Sequence, residues 1–157
     1  MNNKIRKYQI YGFGGALVDT EVQVSDTFLL GAMIDKGVMT LVDEARQIEL
    51  LDLLESGNGN IIRKPGGSVC NSIVAAACLG ASTFFSGKVA NDCDGDLYVD
   101  ELRQLGVDFQ SAARETGVTG KCLVMVTDDA ERTMCTFLGI SESVSSREIS
   151  NDALKDS

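Results

Sequence analysis

The chain has 157 residues, 44% of them hydrophobic and 24% charged, enough for one soluble domain with its own core. Its formal charge of −9 argues against a nucleic-acid or anionic-membrane partner, and the absence of His excludes Ser-His-Asp or Cys-His catalysis and His-ligated metals within the chain. Five Cys, odd in number and without a C-x-x-C, argue against a disulfide framework or zinc cluster.

Residues 7–18 (KYQIYGFGGALV) read as a strand interrupted by glycines, and the alternation over 21–25 predicts a short second strand. Asp26 is the expected cap of a helix over 27–34 that closes at Lys36-Gly37. VMTLV at 38–42 is β-rich. Asp43 then caps a helix in which Ala45, Ile48, Leu51 and Leu54 fall at helical spacing and Ser56-Gly57 is the stop. A short strand at 60–63 leads into PGGS and a small-residue helix that ends at Gly80. Residues 82–89 read as a strand, and Asp92 or Asp94 caps a helix over 96–105 with Gly106 beyond its end. The β-rich runs 120–126 and 132–138 are joined by 127–131 as a hairpin, and the polar tail enters a short helix. Strands alternating with helices predict an α/β layered sheet with a smaller appended sheet. The longest apolar run, around 73–79, is too short for a bilayer, and no apolar signal core follows the N-terminus, so a cytoplasmic location is expected.

Four segments carry candidate chemistry. GFGGALVD approaches the dinucleotide pattern G-x-G-x-x-G, but Leu17 stands at the third glycine position and a strand follows where a helix should. It leaves Asp19 at the carboxyl end of an apolar strand, the edge where open α/β sheets bind ligands, with a carboxylate able to accept from vicinal hydroxyls. In PGGSVCN, Gly66 and Gly67 permit close backbone approach, and Asn71, one helical turn on, can donate to and accept from a hydroxyl. The bland account, a tight turn with a capping amide, weighs evenly until Asp19 is considered beside it. NDCDGD resembles a calcium loop only superficially, since the twelfth position from Asp92 is Arg103. Helix capping explains it and no metal site is expected. Arg132 reads either as a surface partner of Glu131 or Asp129 or as a phosphate contact.

GFGGALVD, GVMTLVD, PGGSVCNS, GKVANDCDGD and GKCLVMVTDDAERTMCTFLG, in this order and spacing, resemble the N-terminal half of ribokinase-like (PfkB) carbohydrate kinases of the sugar and adenosine kinase-like branch. The resemblance implies a ribokinase-like three-layer α/β/α fold with a small β lid. Core segments would be 1–20 and 43–112, and lid segments about 21–42 and 118–138. It implies that Asp19, Gly66, Gly67 and Asn71 bind the acceptor's hydroxyls, that Leu17, Met39, Met134 and Thr136 line the pocket, and that Arg132 contacts the transferred phosphoryl group. It further implies ATP and Mg²⁺ as cofactors of the full-length kinase, a sugar or nucleoside as acceptor, and lid edges that offer pairing into a homodimer. The family's Gly-rich catalytic motif ending in Asp has no counterpart here, so the catalytic base is expected beyond Ser157 and the chain is expected to be inactive alone. Gly15, where family members often carry Asn, and Cys70 and Ile73 depart from the family signature. A non-catalytic sugar- or nucleoside-binding or lid-pairing protein is the competing expectation.

Overall fold

Two sheets, one parallel and one mixed, organise the chain in a computed structural model that describes residues 6–56, 60–110 and 115–157. The elements run β1 (Ile10–Phe13), β2 (Leu17–Gln23), α1 (Asp26–Gly31), β3 (Met39–Leu41), α2 (Glu44–Ser56), β4 (Ile62–Gly66), α3 (Ser68–Cys78), β5 (Thr83–Ser86), α4 (Cys93–Gln104), β6 (Val107–Gln110), β7 (Gly120–Val126), β8 (Arg132–Phe137) and α5 (Asn151–Lys155). Two 3₁₀ turns, Gly139–Ser143 and Ser146–Glu148, connect β8 to α5.

The parallel sheet has the order β1-β5-β6. Adjacent side chains of a strand point to opposite faces, so Phe84 and Phe85 serve different layers. Phe85 packs with Cys70 and Ile73 of α3 and Tyr98 and Leu102 of α4, while Phe84 packs with Tyr8 and with Ala153 of α5. Helices therefore cover both faces of this sheet, the expected three-layer α/β/α arrangement. Phe85, Tyr98 and Phe109 form an aromatic knot in the α3/α4 layer, with centroids 5.7–6.4 Å apart.

The mixed sheet has the order β3-β8-β7-β2-β4. β7 and β8 form the expected antiparallel hairpin, closed by the Thr127 N–H donating to the Glu131 carbonyl at 3.0 Å. β2 runs parallel to β7 and antiparallel to β4. One face of this sheet, through Val22, Leu123, Met125 and Cys135, packs on Leu29 of α1 and Leu50 and Leu54 of α2. The other face carries the exposed side chains Met39, Leu41 and Ile62.

Several local expectations change. The pieces read as 7–18 and 21–25 are regrouped, because β2 is one strand from Leu17 to Gln23 and the break falls at 14–16, where the chain passes between sheets. β4 extends through Pro65 to Gly66 and belongs to the mixed sheet. The α1 cap is Ser25, whose hydroxyl accepts from the Phe28 N–H, rather than Asp26; Asp26 instead pairs with Lys36. Asp43 does cap α2, accepting from the Arg46 N–H at 2.8 Å. The buried face of α2, however, is Gln47, Leu50 and Leu54, with Ala45 and Ile48 exposed. The stop at Gly57, residues 1–5 of the first expected core segment and residues 111–112 of the second lie outside the described residues. Among the described residues, no helix is long and apolar enough to cross a membrane.

Candidate functional site

The open face of the mixed sheet is assembled by register. β2 alternates so that Val18, Thr20 and Val22 are buried and Leu17, Asp19 and Glu21 face the other side. Asp19 lies opposite Cys122 on β7 and Lys64 on β4, and Leu17 lies opposite Gly120 and Gly66. Continuing across the sheet, Cys122 faces Thr136 and Val124 faces Met134 on β8, and these lie opposite Leu41 and Met39 on β3. Partners in register share a face, so residues from five strands converge on one surface.

α3 supplies the facing wall. Its N-cap is Gly67 at φ +99°, a left-handed conformation that disfavours any side chain, and a Cβ there would strike the Gly15 carbonyl. Gly66 is required for a different reason. A Cβ at that position would fall onto the Asp19 carboxyl group. Its carbonyl accepts from the fully buried Tyr98 hydroxyl at 3.2 Å, which fixes the strand end from below. The chain is thus free to turn sharply into α3, with Ser68 and Asn71 on its first turn.

Sheet face and helix end enclose a cavity of about 450 Å³ lined by Leu17, Asp19, Met39, Leu41, Gly67, Ser68, Asn71, Cys122, Val124, Arg132, Met134, Thr136 and Leu138. Every residue expected to bind or line the site is on that surface except Gly66, which lies directly behind Asp19. Leu41, Ser68, Cys122, Val124 and Leu138 were missed. The alternation of 120–126 marks Cys122 and Val124 as sharing a face, but only the register with β2 shows that this face carries Asp19.

Burial pushes the Asp19 carboxyl above the usual carboxylate range, opposed by the charges of Lys64 and Arg132 and reinforced by Glu21. Among the described residues Asp19 has no ion pair within 4.0 Å, because Lys64 is held by Glu21 at 2.8 Å. Arg132 is likewise free of an ion pair there. Its two expected surface partners do not engage it, since Asp129 binds Lys36 at 2.7 Å. Cys122 contributes a neutral wall: burial raises its thiol, which accepts from the Thr136 hydroxyl at 3.3 Å. Behind the wall, burial pushes the Cys70 thiol up to about 11. Neither thiol is poised as a nucleophile.

The lining is mixed. Asp19, Ser68, Asn71 and Arg132 give acceptors, donors and a cation, while Leu17, Met39, Leu41, Val124, Met134 and Leu138 give apolar surface. Such a lining offers hydrogen bonds to hydroxyls and contact to an apolar body.

Comparison with known proteins adds three findings. The model of the pfkB family carbohydrate kinases matches residues 38–156. The fructokinase of Escherichia coli is 34% identical over 90 residues, which cover 57% of this chain and 29% of that protein. Among solved structures, the adenosine kinase from Sinorhizobium meliloti has a TM-score of 0.81 and 32% identity over 94% of this chain and 44% of its own. A probable sugar kinase from Rhizobium etli has a TM-score of 0.82 and 30% identity over 96% and 45%. The chain thus spans less than a third of that curated relative and less than half of each solved structure.

Proposed function

The chain belongs to the pfkB family of carbohydrate kinases, and from that premise we propose that its cavity is the acceptor end of an ATP-dependent kinase acting on a hydroxymethyl group of a sugar or nucleoside. The observation that carries this reading is the meeting of Asp19, Gly67, Asn71 and Arg132 around one cavity. The Asp19 carboxylate accepts from two vicinal hydroxyls, and the Asn71 amide donates to or accepts from a third. Gly67 lets the backbone approach, and Gly66 leaves room for the Asp19 carboxyl. Arg132, a cation with no ion pair within 4.0 Å among the described residues, balances the charge of the phosphoryl group as it moves. The mixed sheet acts as the lid that excludes water from this end of the reaction, and its free edges at β3 and β4 offer pairing to a second copy.

ATP supplies the phosphoryl group in the whole protein, and Mg²⁺ screens its phosphates. Arg132 fits a phosphate oxygen, but among the described residues no three Cys, Asp or Glu side chains converge to hold a metal. The wide apolar surface favours a nucleoside over a bare sugar, because a sugar would set hydroxyls against Met39, Leu41 and Met134 with nothing to bond.

The test is calorimetric titration with adenosine and with fructose, on the parent and on Asp19→Ala. Removing two charge-assisted hydrogen bonds at about 1.5–3 kcal/mol each should weaken acceptor binding by about a hundredfold or more. Equal affinity in parent and variant would remove Asp19 from the site and the reading with it.

A further inference from the structure

Beneath β2, on the face turned away from the cavity, a buried carboxylate joins the two strands that flank it. Asp94, in the first turn of α4, is 7% exposed. One of its oxygens binds the Arg63 guanidinium of β4, and the other binds the Lys121 ammonium of β7 at 2.8 Å. Arg63 lies opposite Thr20 and Lys121 opposite Val18, so both cations descend from the side of the sheet opposite Asp19. β4 and β7 stand about 10 Å apart with β2 between them. One carboxylate thus straddles the strand that carries Asp19.

Capping does not account for this residue. Asp92 caps α4, accepting from the Gly95 N–H at 2.8 Å, and also receives the Thr119 N–H at 2.8 Å and the Thr119 hydroxyl at 2.6 Å. Tyr98, one turn on, donates to Gly66. One helix therefore grips the root of the mixed sheet at Thr119, at Lys121, at Arg63 and at Gly66. The carboxylate is buried while the Arg63 side chain is 40% exposed, so an apolar replacement of the triad would cost little net stability and what the pairing can supply is geometry.

We propose that Asp94 is a positioning residue for the acceptor site. By holding Arg63 and Lys121 on α4 it sets the angle of the mixed sheet over the α3 end, and so the separation of Asp19 from Asn71. The inference rests on the acceptor reading above. It predicts that a triad made apolar keeps the fold and loses the angle.

The experiment uses the whole protein with spin labels at Cys78, exposed on α3, and at Asp128→Cys in the β7–β8 turn, with the other exposed thiol removed as Cys93→Ser. Pulsed dipolar distances are then compared in the parent, in Asp94→Asn, and in the triple variant Arg63→Met/Asp94→Leu/Lys121→Met. The expected result is a broadened distance distribution in both variants, with the triple variant melting near the parent. Affinity for adenosine and fructose should fall at least tenfold in both. A parent-like distribution in the triple variant overturns the proposal, because packing alone then sets the angle. Broadening without loss of affinity overturns it as well, since the angle would not govern the site. If the parent binds neither probe, the acceptor reading fails, and the distance distribution still decides whether Asp94 sets the angle.

Discussion

Gly66→Ala separates a clash from a backbone effect. The position lies at the end of β4, outside the left-handed region, so Ala is compatible with the backbone. Replacing Gly by Ala at such a site stabilises by about 0.4–1 kcal/mol through the unfolded chain. Against this, the three atoms nearest to the new Cβ all belong to the Asp19 carboxyl, and all overlap it. Overpacking of this kind costs about 1–3 kcal/mol. The net expectation is destabilisation by about 1–2 kcal/mol, a fall in melting temperature of about 2–8 °C for a chain of this size. In an Asp19→Ala background the obstacle is gone and the same substitution should become neutral or stabilising. A urea-unfolding double-mutant cycle reads the coupling, expected at about 1–3 kcal/mol. If Gly66→Ala costs the same in both backgrounds, the glycine is not there to make room for Asp19, and the reasoning fails.

Three further outcomes are expected. Acceptor affinity should fall on acidification at a higher pH than an ordinary carboxylate would give, because burial raises the Asp19 carboxyl and its ionised form makes the stronger, charge-assisted hydrogen bonds to two hydroxyls; calorimetry from pH 7 to pH 4 checks this, and a flat profile would count against Asp19 as the acceptor ligand. Gln47→Met should raise the melting temperature, since both amide atoms of Gln47 are buried without a hydrogen-bond partner and an apolar side chain of similar shape removes about 1 kcal/mol of desolvation penalty; a lowered midpoint would mean the amide is satisfied. Despite the cost of its burial, hydrogen bonds from the Thr119 hydroxyl and N–H and the Gly95 N–H hold Asp92 below the ordinary 3.8. A depressed carboxylate stabilises above its unfolded pKa and loses that contribution as pH falls through its folded value. Asp92→Asn should therefore be destabilising at pH 7, with the difference from the parent shrinking below about pH 4.

The parts of the fold legible in sequence were those set by local chemistry. Asp43 caps its helix as read and Asp92, one of the two candidates, caps α4; Gly106 follows α4 at φ +76°, and the 127–131 turn joins a hairpin. What escaped was decided by tertiary partners. α2 has apolar side chains around most of its circumference, so the spacing of Ala45, Ile48, Leu51 and Leu54 could not reveal that packing against the mixed sheet would bury Gln47 and Leu50 and leave Ile48 outside. β6 was not read at all, because VDFQ becomes a strand only by pairing with β5 along a parallel edge. The glycines at 12, 14 and 15 hid the boundary between β1 and β2, which belong to different sheets. For the site, the polar lining was legible through the PGGS turn and Asp19. Of its apolar surface, Val124 and the flanking Leu41 and Leu138 needed the cross-strand register.

The parallel pairing of β2 with β7 has a consequence for the order in which the molecule can be built. As the chain leaves the ribosome, β2 can meet β4 once Gly66 has emerged, since their register closes locally through Leu17 and Gly66. Its other edge must wait for Gly120–Val126, about a hundred residues beyond β2 in the sequence, and non-local parallel pairing is slow to form. Until then Asp19 stands on a half-made sheet, beside an edge able to recruit any passing strand. The surface that would take the acceptor is completed only once β8 has been made, and its assembly reports that everything from β2 to β8 has found its place.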